Sequence, residues 1–252
     1  MDTNFLFILV VGISFLATFV SSMSGGGSSM ITIPLYLSLG IPFPTANAVH
    51  QSSSFFWVLP ASRNYLKGRT MNWQFLATYA SIGLFGAYIG ATLVASINEE
   101  FFKPIIGIII FGLVISMAFR KEAGIVDKQH EPGKFKKYLF YITAPFLGFY
   151  ESVFGSGNGV IFSTLAIKFR GNDLIKALGY YYFISFFWVG LTAVILIRDG
   201  HFNLQLMIAT IIGSVLGGHF GSKLGRLKGN LFIKYAFIIV GGILGLKLIL
   251  GL

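Results

Sequence analysis

The chain has 252 residues, of which 55% are hydrophobic, 16% aromatic and only 11% charged, with a mean hydropathy of +0.77. A soluble domain carries about 25% charged residues, so this chain cannot cover a water-facing surface and is read as an integral membrane protein. The net charge of +10 falls in short clusters between apolar runs, which is a topology pattern and not a nucleic-acid surface, and zero Cys excludes disulfides and thiolate sites.

Residues Met1 to Asn4 contain no Lys or Arg, so the opening apolar stretch lacks a signal-peptide n-region and reads as a helix of the mature protein. Ten apolar segments follow in chain order, at 5–23, 28–39, 44–66, 73–97, 102–119, 138–154, 158–169, 174–197, 203–224 and 231–250. Two of them, 28–39 and 158–169, have 12 residues each. At 1.5 Å per residue such a helix reaches about 18 Å against a hydrocarbon core of about 30 Å, so neither crosses alone. Each follows a glycine cluster, Gly25-Gly26-Gly27 in one case and Gly155-Ser156-Gly157 in the other. The polar stretch 120–137 separates the two series.

The halves also match residue by residue. The glycine clusters lie 130 apart, and Ser54-Phe55-Phe56-Trp57 matches Ser185-Phe186-Phe187-Trp188 at 131. Asn72 falls on Asn203, Gly86 on Gly217 and Gly90 on Gly221. The fold class expected is an all-α polytopic membrane protein built from two inverted repeats of about five segments, residues 1–120 and 138–252, with a linker at 121–137. Gly86, Gly90, Gly217, Gly221 and Gly225 are spaced by four and read as helix-packing positions.

Five segments per half would place 16 of the 19 Lys and Arg on one face and only Lys103, Arg198 and Lys247 on the other. Cytoplasmic loops are enriched in Lys and Arg, so loop 120–137 is expected in the cytoplasm and both termini outside. Four spans per half would split the clusters between faces. Parity leaves open whether each short segment completes a re-entrant hairpin or a crossing; its length favours a hairpin with its tip near the bilayer middle.

The tips, 24–29 and 154–158, carry the site chemistry. Non-helical backbone at membrane depth is tolerated only when buried in protein or lining a wet cavity. Each tip precedes a helix start, and a helix N-terminus presents free N–H groups and the positive dipole end. Two such ends facing each other make an anion site from Gly25, Gly26, Gly27, Ser28 and Ser29 on one side and Gly155, Ser156, Gly157, Asn158 and Gly159 on the other. The alternative is that the glycines serve tight packing only. Glu151 is the one acidic residue inside a membrane segment, where a charge costs about 2.5–3.5 kcal/mol or more. A protonated Glu costs less, which makes it a candidate proton carrier; the plain alternative is a neutral carboxyl bonded to nearby backbone. Asn47 and the polar run His50-Gln51-Ser52-Ser53-Ser54 of the third segment, with the matching Tyr180, Tyr181, Tyr182 and Ser185, are expected to line the pathway and donate hydrogen bonds to substrate oxygens. His50 can contact substrate or simply bond another helix, and the same choice applies to His219. No His spacing suits a metal, and neither a phosphate-binding loop nor a nucleophile–base arrangement is evident, so no cofactor and no catalytic residue are expected.

The run Ser24-Gly25-Gly26-Gly27-Ser28-Ser29-Met30-Ile31-Thr32-Ile33-Pro34 resembles the Gly-rich signature of the sulfite exporter TauE/SafE family of permeases. Tyr65-Leu66-Lys67-Gly68 with Asn72-Trp73, and Gly86-Ala87-Tyr88-Ile89-Gly90-Ala91, resemble further family motifs. The second-half copies at 155–159, at Gly200 with Asn203 and at 217–221 fit the same duplicated architecture. The likeness covers essentially the whole chain. It departs at Asn47-Ala48-Val49-His50-Gln51, where members carry a small Gly-Thr-Ser-type run. The resemblance implies a permease of sulfite, sulfoacetate or related organosulfur anions, working outward. The expected partners are a small anionic substrate and the bilayer, with no nucleic acid and a homodimer left open. An anion channel, an importer, and a membrane enzyme or assembly factor are the rival readings.

Overall fold

The computed structural model describes residues 3–96, 99–119, 122–127 and 133–251; most of the basic residues expected in loop 120–137 lie outside these or outside the described side chains. Nine helices are assigned among the described residues: α1 (Thr3–Ser24), α2 (Ser29–Ser38), α3 (Phe43–Leu66), α4 (Trp73–Leu93), α5 (Glu99–Phe119), α6 (Lys134–Val153), α7 (Asn158–Arg170), α8 (Leu174–Arg198) and α9 (Leu204–Leu250). A 3₁₀ turn, Val94–Ser96, extends α4. The last helix is two arms joined at Gly229, whose backbone is non-helical at φ 84°, ψ 178°. The ten segments read from the apolar runs are therefore all present. Two borders move. The first arm of α9 runs past residue 224 to Gly229, because Gly225 packs inside the helix and does not end it. α6 begins at Lys134, within the stretch read as linker.

Among the described residues, four helices are long and apolar enough to span a bilayer: α1 (from Phe5), α4, α8 and α9. α3 is long but polar, and 15 of its 24 residues are buried, so its polar run faces protein and not lipid. α3 crosses α8 at the centre, where Phe55 and Phe186 stack with centroids 4.5 Å apart. Around this pair, α1 packs on the first arm of α9, and α4 on α6. Both contacts are close because glycines admit the neighbour's backbone. A Cβ on Gly217 or Gly221 would strike the carbonyls of Phe15 or Phe19, and one on Gly86 or Gly90 the carbonyls of Pro145 or Phe149. The spaced glycines are packing positions, as their period implied.

Both short helices turn back. Leu39 and Ile41, just after α2, share a cavity with Leu6, Phe7 and Val10 at the start of α1. Likewise Lys168 and Arg170 at the end of α7 share one with Phe135 and Lys136 at the start of α6. With α2 at 10 residues and α7 at 13, about 15 and 20 Å, each pair is a helical hairpin whose second arm is too short to cross a bilayer alone.

Candidate functional site

At the first tip, α1 stops after Ser24 because Gly25, Gly26 and Gly27 all take positive φ (87°, 133° and 115°), a region open at little cost only to Gly. The second tip turns on Gly155 and Gly157, at φ 63° and 77°. The tips meet. A Cβ on Gly159 would collide with the Gly25 carbonyl oxygen, and one on Gly26 would stand 3.2 Å from the Gly157 nitrogen. Gly27 faces Leu244 and Gly157 faces Ile110, so these two also seat the tips on α9 and α5.

The broken ends are held from α3 and α8. Tyr182 donates its hydroxyl to the carbonyls of Ser21 and Ser22 (3.1 Å each), and Tyr65 to that of Ser22 (2.8 Å), closing the end of α1. Gln51 Nε2 donates to the Glu151 carbonyl (2.7 Å) and Asn47 Nδ2 to that of Ser152 (2.8 Å), closing the end of α6. Asn47 and Gln51, read as pathway residues, thus spend amide protons on capping. The capping role of Tyr182, Tyr65 and Tyr150, which donates to the Ser156 carbonyl, is not evident from the residue types alone. For Tyr182 a signal existed: it stands 131 residues after Gln51, and the two do the same task.

Away from the tips, three helix starts carry side-chain caps and those of α3 and α6 do not. Asn72, Asp173 and Asn203 cap α4, α8 and α9 through side-chain oxygens that accept from Phe75, Lys176 and Leu206 amides. α2 and α7 have no side-chain cap. In α2 the amides of Met30, Ile31 and Thr32 already donate to the Gly27 and Ser28 carbonyls, and in α7 those of Asn158, Val160 and Ile161 to Gly155 and Gly157, which leaves the buried amides of Ser29 and Gly159 without a backbone acceptor among the described residues. Beside them, the hydroxyls of Ser29 and Ser156 and the Asn158 Oδ1 are buried without a hydrogen-bond partner among the described residues.

Two clusters flank the junction. On one side Glu151 Oε2 accepts from Asn158 Nδ2 and from the Tyr181 hydroxyl (2.8 Å), and Oε1 from Ser185 Oγ (3.0 Å). Tyr181 and Ser185 can reverse their hydroxyls and accept a proton from a neutral Glu151, whereas Asn158 Nδ2 can only donate. On the other side His50 Nδ1 lies 3.0 Å from Thr32 Oγ1, and Nε2 3.4 Å from Ser54 Oγ. Thr32 already donates to the Ser28 carbonyl (3.1 Å), so in a neutral imidazole Nδ1 carries the hydrogen and Nε2 accepts. A Cβ on Gly155 would sit 3.8 Å from His50 Nε2 and 3.9 Å from Ser29 Oγ, which puts both at the second tip. The site residues expected from sequence therefore come together at one junction, and their side chains are at most 6% exposed. Thr32 joins them unforeseen. His219 does not; it lines a separate cavity on α9. Among the described residues no group of three or more His, Asp or Glu could hold a metal ion.

Two interrupted hairpins meeting inside membrane-length helices define a polytopic membrane protein with a central polar junction, an architecture that secondary transporters use. The chain belongs to the sulfite exporter TauE/SafE family, whose model matches residues 10–248. It is 26% identical over 239 residues to a probable membrane transporter protein of Haemophilus influenzae, covering 94% of this chain and 92% of that one. It is 29% identical over 238 residues to a probable membrane transporter protein, ORF9, of Sinorhizobium sp, covering 94% and 89%. A probable membrane transporter protein of Escherichia coli, YfcA, is 22% identical over 245 residues, 96% of this chain and 90% of that one. No solved structure matches. The protein is a multi-pass membrane transporter of the TauE/SafE type.

Proposed function

We propose that the protein is a secondary transporter that moves small sulfur-containing anions, of the sulfite or sulfoacetate kind, by alternating access. The observation that carries this reading is the pair of buried, uncapped helix starts, α2 and α7, meeting at Gly25–Gly159 beside the unpartnered hydroxyls of Ser29 and Ser156. An orphaned buried hydroxyl costs about 1–3 kcal/mol. An anion's oxygens would supply the missing partners, and the two dipole ends would stabilise its charge without a fixed cation to bind it too tightly.

Inverted repeats fit the packing. Exchanging the halves maps α1 with the first arm of α9 onto α6 with α4, and each contact is present. Phe55 and Phe186, equivalent by the 131-residue offset, stack on each other as residues on a two-fold axis do. On this reading the hairpin of α1 and α2 enters from outside and that of α6 and α7 from the cytoplasm, with both termini outside. Opening toward one side would then repeat, mirrored, the opening toward the other. An interior-negative potential favours outward movement of an anion by about 2.3 kcal/mol per charge per 100 mV, which suits export. Glu151 is the proton-coupling group, held by hydroxyls that can accept a hydrogen bond from its carboxyl when it is neutral.

The test is a thermal-shift and binding screen of purified protein against sulfite, thiosulfate, sulfate, sulfoacetate and taurine. Saturable stabilisation by at least one sulfur oxyanion, lost in Ser29→Ala/Ser156→Ala, is the expected outcome. No stabilisation by any of them overturns the substrate class. Counterflow in proteoliposomes separates the carrier from a channel, because only a carrier accelerates tracer entry against trapped substrate.

A further inference from the structure

The cavity lined by His219, of about 690 Å³, opens between α3, α8 and α9, and none of the tip residues lines it. Its volume lies within the range of about 300–1,000 Å³ typical of small-molecule sites. Its lining is largely apolar, with Leu59, Pro60, Leu66 and Phe183, and includes the exposed Arg63 and Lys67. Leu59 is seven residues, about 10 Å of helix, deeper than Leu66, so the cavity runs from the basic end of the bundle into the hydrocarbon level. Trp73, 59% exposed and edge-on to Phe183 at 5.6 Å, marks the interfacial depth at which exposed Trp sits.

The rim is positive and unneutralised. Arg63 and Lys67 occur in no ion pair among the described residues, unlike Arg69 and Lys176, which pair with Asp173 and Asp127. Arg63 and Lys67 lie one turn apart on α3. Arg226 of α9 donates to the Lys67 carbonyl (3.0 Å) and so holds the end of α3 against α9. The wall is rigid where it must be: Asn64 ties α3 to α9 through the His219 carbonyl (3.0 Å) and Ser222 Oγ (2.9 Å).

An apolar slot at membrane depth with two cations at its mouth is complementary to one class of ligand. We propose that this cavity is a site for an anionic phospholipid, with an acyl chain against Leu59 and Phe183 and the phosphate between Arg63 and Lys67. Basic pockets between membrane helices bind phosphate headgroups in this way. The site is separate from the tips and does not depend on which solute they carry.

The test compares the purified protein in mixed micelles with phosphatidylglycerol, with phosphatidylcholine of the same chains, and with inorganic phosphate alone, read by melting temperature and by native mass spectrometry. The wild type is expected to retain one phosphatidylglycerol and to melt about 2–4 °C higher with it than with phosphatidylcholine. Arg63→Gln/Lys67→Gln should lose both the retained lipid and the shift. Leu59→Trp, which fills the slot and leaves the cations, should lose them too, and it keeps the test alive if the double variant is unstable. Equal stabilisation by both lipids, an effect reproduced by inorganic phosphate, or retention of phosphatidylglycerol in both variants would overturn the proposal.

Discussion

Glu151→Gln separates the carboxyl's chemical role from its structural one. In the wild type one carboxyl oxygen accepts from Asn158 and Tyr181 and the other from Ser185. A glutamine can place its carbonyl where Oε2 stands and keep two of these bonds, and its NH₂ can donate to Ser185 Oγ once that hydroxyl turns. The network survives, so the stability change should stay below about 1 kcal/mol. Glu151→Leu is the contrasting variant. It strands the Tyr181 and Ser185 hydroxyls and one Asn158 proton at about 1–3 kcal/mol each, less what rotation recovers, so a loss of about 2–5 kcal/mol is expected. The assay is substrate efflux from proteoliposomes across a range of external pH, with thermal melts of the same preparations. Glu151→Gln should melt like the wild type and lose the pH dependence of transport. If it transports at the wild-type rate with the wild-type pH profile, Glu151 carries no proton. If it melts several degrees lower, the hydrogen-bond assignment is wrong.

Three further outcomes follow from the packing and the caps. Gly159→Ala should destabilise by about 1–3 kcal/mol and abolish transport, because its methyl would occupy the space of the Gly25 carbonyl; Gly12→Ala, with open space around it, should be neutral or slightly stabilising in the same melts. Tyr182→Phe and Gln51→Leu should each weaken one broken helix end, by about 1 and about 1–3 kcal/mol, with faster amide exchange at 20–24 and 151–155 respectively; loss of protection at the opposite tip would contradict the assigned partners. Asp173→Ala should lower stability by about 2–4 kcal/mol, since one carboxylate, 5% exposed, caps α8 and also receives Arg69 (2.8 Å) and Asn230 (3.1 Å); an unchanged melt would show that the pair contributes nothing.

Much of the architecture was legible in the residues because the bilayer imposes strict lengths. Runs of apolar residues and their interruptions located all ten segments, and the triple glycine at 25–27 announced a break that no other residue tolerates so readily. Gly229 was harder to read. It ends one arm and begins another without a loop, so its extended kink looks locally like a helix boundary of any kind. The run Asn47 to Ser54 declared a polar interior, but not which members cap backbone and which face the junction. That division depends on the rotation of α3 about its own axis.

By itself, then, the order of residues determined membrane residence, the count and lengths of the helices, the doubled pattern, and the two places where helices must break. These are properties of single segments in contact with lipid, decided by transfer free energy and backbone stereochemistry within a few turns. The folded chain alone decided that Asn158, Tyr181 and Ser185 converge on Glu151, that Gln51 and Tyr182 close opposite helix ends, and that Gly25 meets Gly159. Those partners lie from seven to 161 residues apart. Lipid tails offer polar groups no hydrogen bonds, so each one must find its partner in another helix, and which one it finds is set by how all the helices pack together.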